Sequence, residues 1–518
     1  MRTRPFTTRT AERATTLIIG LAAFKLAVHL LTNGGYDYFR DELYYIACSD
    51  HLAAGYVDHP PLSILLLALS RALLGDSLRA IRFLPAVAGA VLVALTALMA
   101  RELGGGRFAQ LLAGLAMLIA PVYLVMDNFF SMNALEPVFW ALCAYLVMRI
   151  INTGNSRLWL VFGLVAGLGL ENKHSMLFFG FGLFAGLLLT GQRRLLLDQW
   201  FWGGAVVAGF LFVPNLIWEI RHQWPTPEFM RNAQAYKNAP LSPLGFFVGQ
   251  IMTLHPLLFP IWVAGLGYYL FAAGGRRFRV FGLAYVAIFV VFLIEKAKVY
   301  YLAPIYPMLL AAGALVCEQL SARRGRAWLR PALAGLLLIG GAVAAPMALP
   351  LLPPETFIRY ANRLGTSETA KRIPSERVGG GELPQYFADM FGWNELVAEV
   401  AQIYNSLPEN DRSRCAIFAQ NYGEAGAIDF LGKRYGLPPA VSGHNTYWLW
   451  GPRGYSGDVV IAVGVSEKDL ATYFDSVTQA GVTHCRYCMP LENNRPIFLC
   501  RRPKQSLDLV WPQLKFFL

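Results

Sequence analysis

The chain has 518 residues, 55% of them hydrophobic and only 15% charged, with a formal net charge of +12 and a mean hydropathy of +0.42. Soluble domains carry about 25% charged residues, so an ordinary soluble enzyme is excluded. The basic excess does not point to nucleic acid. Much of it sits in short loops between apolar runs, where Lys and Arg hold loops on the cytoplasmic side of a membrane.

Taken in chain order, apolar runs of roughly 17–25 residues, long enough to span a bilayer, recur to about residue 350. The first follows Arg2, Arg4, Arg9 and Arg13 and lacks an A-x-A-like cleavage site, so it reads as a retained helix. The candidate spans are 14–32, 81–100, 108–126, 134–151, 158–171, 175–190, 200–219, 255–273, 279–295, 303–320 and 331–350. Residues 61–74 are apolar but number only about 14, which favours a helix lying along the outer interface. With the N-terminus cytoplasmic and 61–74 not crossing, the loops holding Arg101/Arg107, Arg149/Arg157, Arg193/Arg194, Arg276/Arg277/Arg279 and Arg323/Arg324/Arg326 all fall inside. If 61–74 crosses, every later basic loop flips outward. The chain therefore reads as an all-α polytopic membrane domain over 1–350, with about eleven transmembrane helices plus interfacial helices. Segments 33–60, 126–136, 171–174, 219–243 and 295–305 come out on the extracytoplasmic face, together with a soluble α/β domain over 351–518.

The polar residues of those outer segments are the candidates for chemistry. In "YFRDELYYIA", Asp41 and Glu42 are adjacent on a short helix, so they point about 100° apart. One can face a reacting centre while the other makes a structural or metal contact. Solvated interfacial charge is the bland reading; flanking aromatics and membrane depth weigh against it, because a carboxylate there is costly without a partner. In "DHPPL", Asp58 and His59 suit a phosphate or metal contact as well as a plain helix start. Asp127 and Glu136 flank an outer junction; Glu136 before Pro137 suits a first helical turn, yet a carboxylate at the membrane edge is a functional candidate. Lys173 and His174 occupy a tight outward turn, Lys296, Lys298 and Tyr300 precede two prolines, and Arg231 and Lys237 lie in "EFMRNAQAYKN". Cations on the outer face run against the charge bias, and an interfacial phosphate explains them. No cofactor is demanded; a divalent metal has Asp41, Asp58 and His255 as its candidate ligands.

In the C-terminal region, "RCAIFAQ" and "DVVIAVGV" read as buried strands. "YGEAGAIDFLGKRYG" reads as a helix ending at Gly436, with Glu424 and Asp429 on its surface. Of seven cysteines, Cys415, Cys485, Cys488 and Cys500 lie here, where an oxidising compartment permits disulfides. "HCRYC" lacks the second pair of a zinc knuckle. No P-loop, dinucleotide glycine motif or nucleophile elbow stands in a strand–helix context.

"RDELYYIACSDHLAAGYVDHPPL", "RFLPAVAGAVLVALTALMARELGGGRFAQLLAGLAMLIAP", "MNALEPVFW" and "KVYYLAPIYPML", in that order over residues 14–350, resemble the bacterial branch of the protein-O-mannosyltransferase-like membrane glycosyltransferases. That branch includes the lipid A aminoarabinose and galacturonic acid transferases. The resemblance implies a GT-C fold in the bacterial inner membrane, with the active site and the C-terminal domain periplasmic. It implies inverting transfer of a sugar from a polyprenyl-phosphate-linked donor to a glycolipid, lipopolysaccharide or protein acceptor. Asp41, with Glu42 beside it, matches the family's candidate base, and Glu136 matches a second acidic position where the family usually has Asp. His59 stands where the aminoarabinose branch often has a phosphate-contacting lysine. Lys298 and Tyr300 match a cation–aromatic–proline segment. With Asp58, Asp127, Lys173, His174 and Arg231, these form the expected donor-phosphate and substrate set. Such chemistry needs a general base and cations for the leaving phosphate, but no enzyme nucleophile.

A transporter or flippase for a lipid-linked sugar is the competing reading. It predicts charges near the membrane midplane and a two-fold internal repeat, and the sequence shows neither. A non-catalytic receptor or assembly protein leaves the outer carboxylates and cations without a purpose.

Overall fold

The computed structural model describes residues 8–366, 376–377 and 381–518, with side chains from residue 14 onward. Arg2 and Arg4, and the side chains of Arg9 and Arg13, lie outside the described residues. The chain divides into two units, one from residues 8–34, Arg79–Leu216 and Pro240–Leu352, the other from Gly35–Leu78, Ile217–Ala239 and the described part of Pro353–Leu518.

The first unit is helical and built for lipid. Seven helices among the described residues are long and apolar enough to cross a bilayer: Ala14–Thr32, Leu78–Glu102, Met132–Thr153, Gln199–Arg221, Ala273–Ile294, Val299–Ser321 and Leu329–Ala348. Two bent pairs, Met176–Leu188 with Gly191–Leu197 and Pro243–Leu254 with Pro256–Phe271, turn by 115° and 98°, and the number reaches nine if each pair is one broken span. The two remaining expected spans, 108–126 and 158–171, are shorter apolar helices, Arg107–Ile119 and Leu158–Asn172. The first stops early because Pro121 opens a separate helix, Pro121–Met126, and holds Ala120 extended at ψ 114°. The apolar helix Pro243–Leu254 goes unread in the sequence because His255–Pro256 splits its run. Large side chains such as Phe210 and Ile339 stay exposed on Gln199–Arg221 and Leu329–Ala348, as a lipid-facing surface requires. Inside the unit, Gly265 and Gly313 let two helix backbones touch: a Cβ on either would overlap the backbone of the other helix.

The second unit carries a five-stranded mixed sheet in the order β2-β1-β3-β5-β4. The strands are β1 (Cys415–Ala419), β2 (Ala440–Val441), β3 (Val459–Val463), β4 (Phe474–Val482) and β5 (Pro496–Pro503). β1 runs parallel to β2 and β3, and β5 pairs antiparallel with both β3 and β4. The two strands expected from apolar runs are thus neighbours at the centre, with β3 buried at every position. The expected helix between them spans Tyr422–Leu431, capped at its start by Asn421, whose side chain accepts from Gly423 N and Glu424 N. Glu424 and Asp429 are not surface residues. Glu424 is fully buried and faces Arg495 at 3.5 Å; Asp429 accepts from Ala440 N at 2.7 Å and pairs with Arg453 at 3.2 Å. The helix is covered on both sides, which strands and loops flanking it in sequence do not reveal.

The cover on the far side is the helix Arg40–Ser49. A Cβ on Gly426 would stand 2.7 Å from Leu43 O, and one on Gly423 would stand 2.5 Å from Arg40 Cγ. These two glycines, three apart on one face, allow the close approach that sets Tyr422 against Asp41.

Candidate active site

In the second unit, Asp41 lies in the first turn of its helix with its side chain 32% exposed. Tyr422 donates its hydroxyl to Asp41 Oδ1 at 2.9 Å. Burial pushes the Tyr422 phenol well above its ordinary range, so it stays a donor. Arg40 lies 3.8 Å from the same carboxylate, and its guanidinium also reaches Asp389 at 3.6 Å and Glu376 at 4.0 Å. The guanidinium sits 5.7 Å from the Tyr422 ring centroid, and Lys237 Nζ sits 5.9 Å from it. Lys237 is in turn 3.9 Å from Glu376. Asp389 is buried, and burial, opposed by Arg40, raises its carboxyl to about 7. Asp41 is thus an accessible carboxylate, held by the Tyr422 hydroxyl with the Arg40 guanidinium beside it.

Glu42 does something else. It is fully buried and turns back to accept Phe39 N–H at 2.8 Å, closing the helix start. The expected catalytic role therefore does not fit its geometry. Asp58 accepts the Tyr44 hydroxyl at 2.7 Å, and that hydroxyl also meets Thr446 Oγ1 at 2.5 Å. His59 is fully buried, stacked on Tyr45 at 4.6 Å and against Tyr56 at 4.9 Å, with Nδ1 3.1 Å from Pro60 O. Burial raises Asp58 and lowers His59, each partly opposed by the other. A ring enclosed by three tyrosines braces the loop; it is not presented to a phosphate, because the aromatic residues flagged by the sequence pack on it. Arg231 is exposed, its Nε donating to Pro227 O. His444 packs on Tyr422 at 4.7 Å, and burial lowers it to about 3.

The membrane unit holds two further polar groups. Glu136 pairs with Lys173 at 2.7 Å and also accepts from Ser175; Lys173 donates to Asn133 Oδ1 at 2.8 Å and lies 4.7 Å from the Tyr301 ring centroid. The glutamate is 5% exposed, so it reads as the partner of Lys173. His174 contacts Asn215 Oδ1 at 3.0 Å. Asp127 is bound by Lys25 at 2.8 Å, with His29 at 4.0 Å, all three buried. That pairing, on the first span, leaves Asp127 no face for a donor phosphate. Lys298 and Tyr300 are half-buried at the start of Val299–Ser321, Tyr300 edge-on to Tyr301. His255 is consumed by the bend it marks, its Nδ1 accepting Leu257 N–H at 3.1 Å. Among the described residues, no three of His, Cys, Asp and Glu are grouped to hold a metal ion, and the candidate metal ligands find no shared centre there.

Residues 58–218 match the PMT_2 family model, dolichyl-phosphate-mannose-protein mannosyltransferase. No curated protein matches the chain as a relative. Among solved structures, ArnT from Cupriavidus metallidurans bound to undecaprenyl phosphate superposes with a TM-score of 0.58 at 16% identity, covering 94% of this chain and 97% of that one. The apo form of the same ArnT gives 0.56 at 16% identity, covering 94% and 98%. The archaeal oligosaccharyltransferase AglB from Archaeoglobus fulgidus, in complex with an inhibitory peptide and a dolichol-phosphate, gives 0.51 at 11% identity, covering 82% and 64%. The chain therefore has the ArnT-like GT-C fold, as its sequence led one to expect.

Sequence reasoning missed Tyr422, Asp389, Tyr44 and Lys25. Nothing local marks Tyr422, which is separated from Asp41 by 381 positions. Lys25 did carry a signal: it is a lone lysine inside the apolar run 14–32, and such a residue needs a buried partner.

Proposed function

We propose that this chain is an inverting glycosyltransferase, moving a sugar from a polyprenyl-phosphate donor to a glycolipid, lipopolysaccharide or protein acceptor at the outer face of the bacterial inner membrane. The observation that carries the reading is the accessible Asp41 carboxylate, held by Tyr422 beside Arg40, with Lys237 against the Tyr422 ring, in a chain of GT-C fold. Two solved proteins of that fold, ArnT and AglB, were captured with a polyprenyl phosphate, which supports a carrier of that class here.

Asp41 takes the proton of the acceptor hydroxyl as its oxygen attacks the anomeric carbon from the side opposite the phosphate. The sugar–phosphate C–O bond breaks, its electron pair leaving on the phosphate. Arg231 and Lys237, on the segment Ile217–Ala239 of the same unit, offset the charge that develops there. Gly35–Leu78, Ile217–Ala239 and the C-terminal residues pack as one unit, which supports a common membrane face for them, and the distribution of basic loops favours the periplasmic one.

Asp41→Asn tests the reading. With general-base catalysis contributing about 10²–10⁴-fold, sugar transfer in membranes supplied with polyprenyl-phosphate sugar should fall by that order, with the protein still present at wild-type level. Undiminished turnover removes Asp41 from the mechanism.

A further inference from the structure

The second unit contains a thiol pair that the site does not use. Cys485 and Cys488 sit in the loop between β4 and β5, in a tight bend. Cys488 N donates to Cys485 Sγ at 3.2 Å, and Cys488 Sγ donates to Cys485 O at 3.1 Å. The two side chains thus occupy one turn, the close spacing that a Cys-x-x-Cys disulfide requires. They differ in access: Cys485 is partly exposed, whereas Cys488 is 4% exposed. Hydrogen bonding from Cys488 lowers Cys485 below the ordinary thiol value, while Cys488 itself is pushed up. One thiol is therefore the accessible nucleophile and the other is sheltered behind it.

Their surroundings make the pair more than a loop ornament. Gly392, with φ at +97°, lies against both cysteines, close enough that a Cβ there would be 3.3 Å from Cys485 Sγ and from Cys488 Cβ. Gly392 ends the turn that begins at Asp389, and Trp393 Nε1 donates back to Asp389 O at 2.9 Å. The same Asp389 carbonyl accepts Arg40 N–H at 3.0 Å, immediately before Asp41. On the loop's other limb, Glu492 accepts from Asn421, the cap of the Tyr422 helix, at 3.1 Å. The loop thus rests on both elements that carry the Asp41–Tyr422 contact.

We propose that Cys485 and Cys488 are a redox-active pair that closes to a disulfide and clamps this loop over the Gly392 turn. The oxidant is a disulfide, of a small thiol or of an oxidoreductase. The Cys485 thiolate attacks one oxidant sulfur, forming a mixed disulfide and expelling the other sulfur as a thiolate. Cys488, giving up its proton, then attacks Cys485 sulfur and expels the second. Two thiol hydrogens and two electrons pass to the oxidant, which ends as two thiols. Because Cys485 is partly exposed, a reducing thiol can reach the disulfide and reopen it. That it closes in the cell rests on the periplasmic placement proposed above; that it closes at all does not.

The test uses the purified full chain, equilibrated in glutathione buffers of increasing oxidised fraction, acid-quenched, unfolded, alkylated and mapped by peptide mass. Cys485 and Cys488 should lose alkylation together, with the loss of two hydrogens, while buried Cys415 and Cys500 stay alkylated. Cys488→Ser should trap glutathione on Cys485, and Cys485→Ser should leave Cys488 an unmodified thiol. Independent glutathione adducts on both wild-type residues, or full alkylation of both in the most oxidising buffer, overturn the proposal. The same mapping on acid-quenched cells separates the two readings. A pair that closes in the purified protein but stays reduced in cells overturns the periplasmic placement and leaves the thiol chemistry standing.

Discussion

Asp41 and Glu42 are neighbours in sequence with opposite surroundings, because adjacent helical side chains diverge by about 100°. One stays accessible with a phenol donor; the other is fully buried on the Phe39 amide. The sequence made both candidates, and only the packed helix separates them. A hydrogen bond to a charged group contributes about 1.5–3 kcal/mol, so Tyr422→Phe should lower kcat by about ten- to a hundred-fold with little change in donor KM. A kcat that does not move would show that Tyr422 merely packs against Asp41. Lys25 and Asp127 offer a different kind of test. Removing one partner of a buried ion pair costs about 3–5 kcal/mol, whereas replacing both with apolar residues is often neutral. Lys25→Met should therefore lower the thermal denaturation midpoint of the detergent-solubilised chain, and Lys25→Met with Asp127→Leu should recover most of the loss. A double variant as unstable as the single would argue that the pair is needed in its own right.

At the scale of elements, glycine and proline decided what hydropathy left open. The helix Tyr422–Leu431 is legible from its sequence, but its partner is not. Gly423 and Gly426 look like weak points in a helix, and instead they form the face against which Arg40–Ser49 lies. Gly426→Val places branched carbons against the Leu43 backbone. Overpacking of that kind costs about 1–3 kcal/mol and should depress both thermal stability and sugar transfer. Turnover kept at wild-type level in a destabilised Gly426→Val chain would show that the helix contact does not align the site. Among the spans, Pro121 divides a run that hydropathy reads as continuous, and the His255–Pro256 bend attaches an apolar helix, Pro243–Leu254, that the reading of spans left out. Both errors have one origin: a window average registers apolar length, whereas a proline changes backbone direction without changing hydropathy.

For the whole molecule, the membrane character was legible because it depends on composition along the chain, which the bilayer sorts directly. The topology has a test of its own: a reporter fused at Gly75 should read periplasmic and one at Gly274 cytoplasmic, and the reverse pattern would invert the topology. The C-terminal residues share a unit with Gly35–Leu78 and Ile217–Ala239, and it is this unit that gathers Asp41, Tyr422, Arg40, Asp389 and Lys237. By itself the sequence determined what must lie in lipid and which carboxylates and cations were worth watching. The tertiary structure alone decided which of those residues are already committed, Glu42 to a helix start, Asp127 to Lys25 and His59 to a cage of tyrosines. The reason is physical: hydropathy and charge act residue by residue, but a carboxylate's role depends on what lies within hydrogen-bond distance, and for Asp41 that partner is 381 positions away.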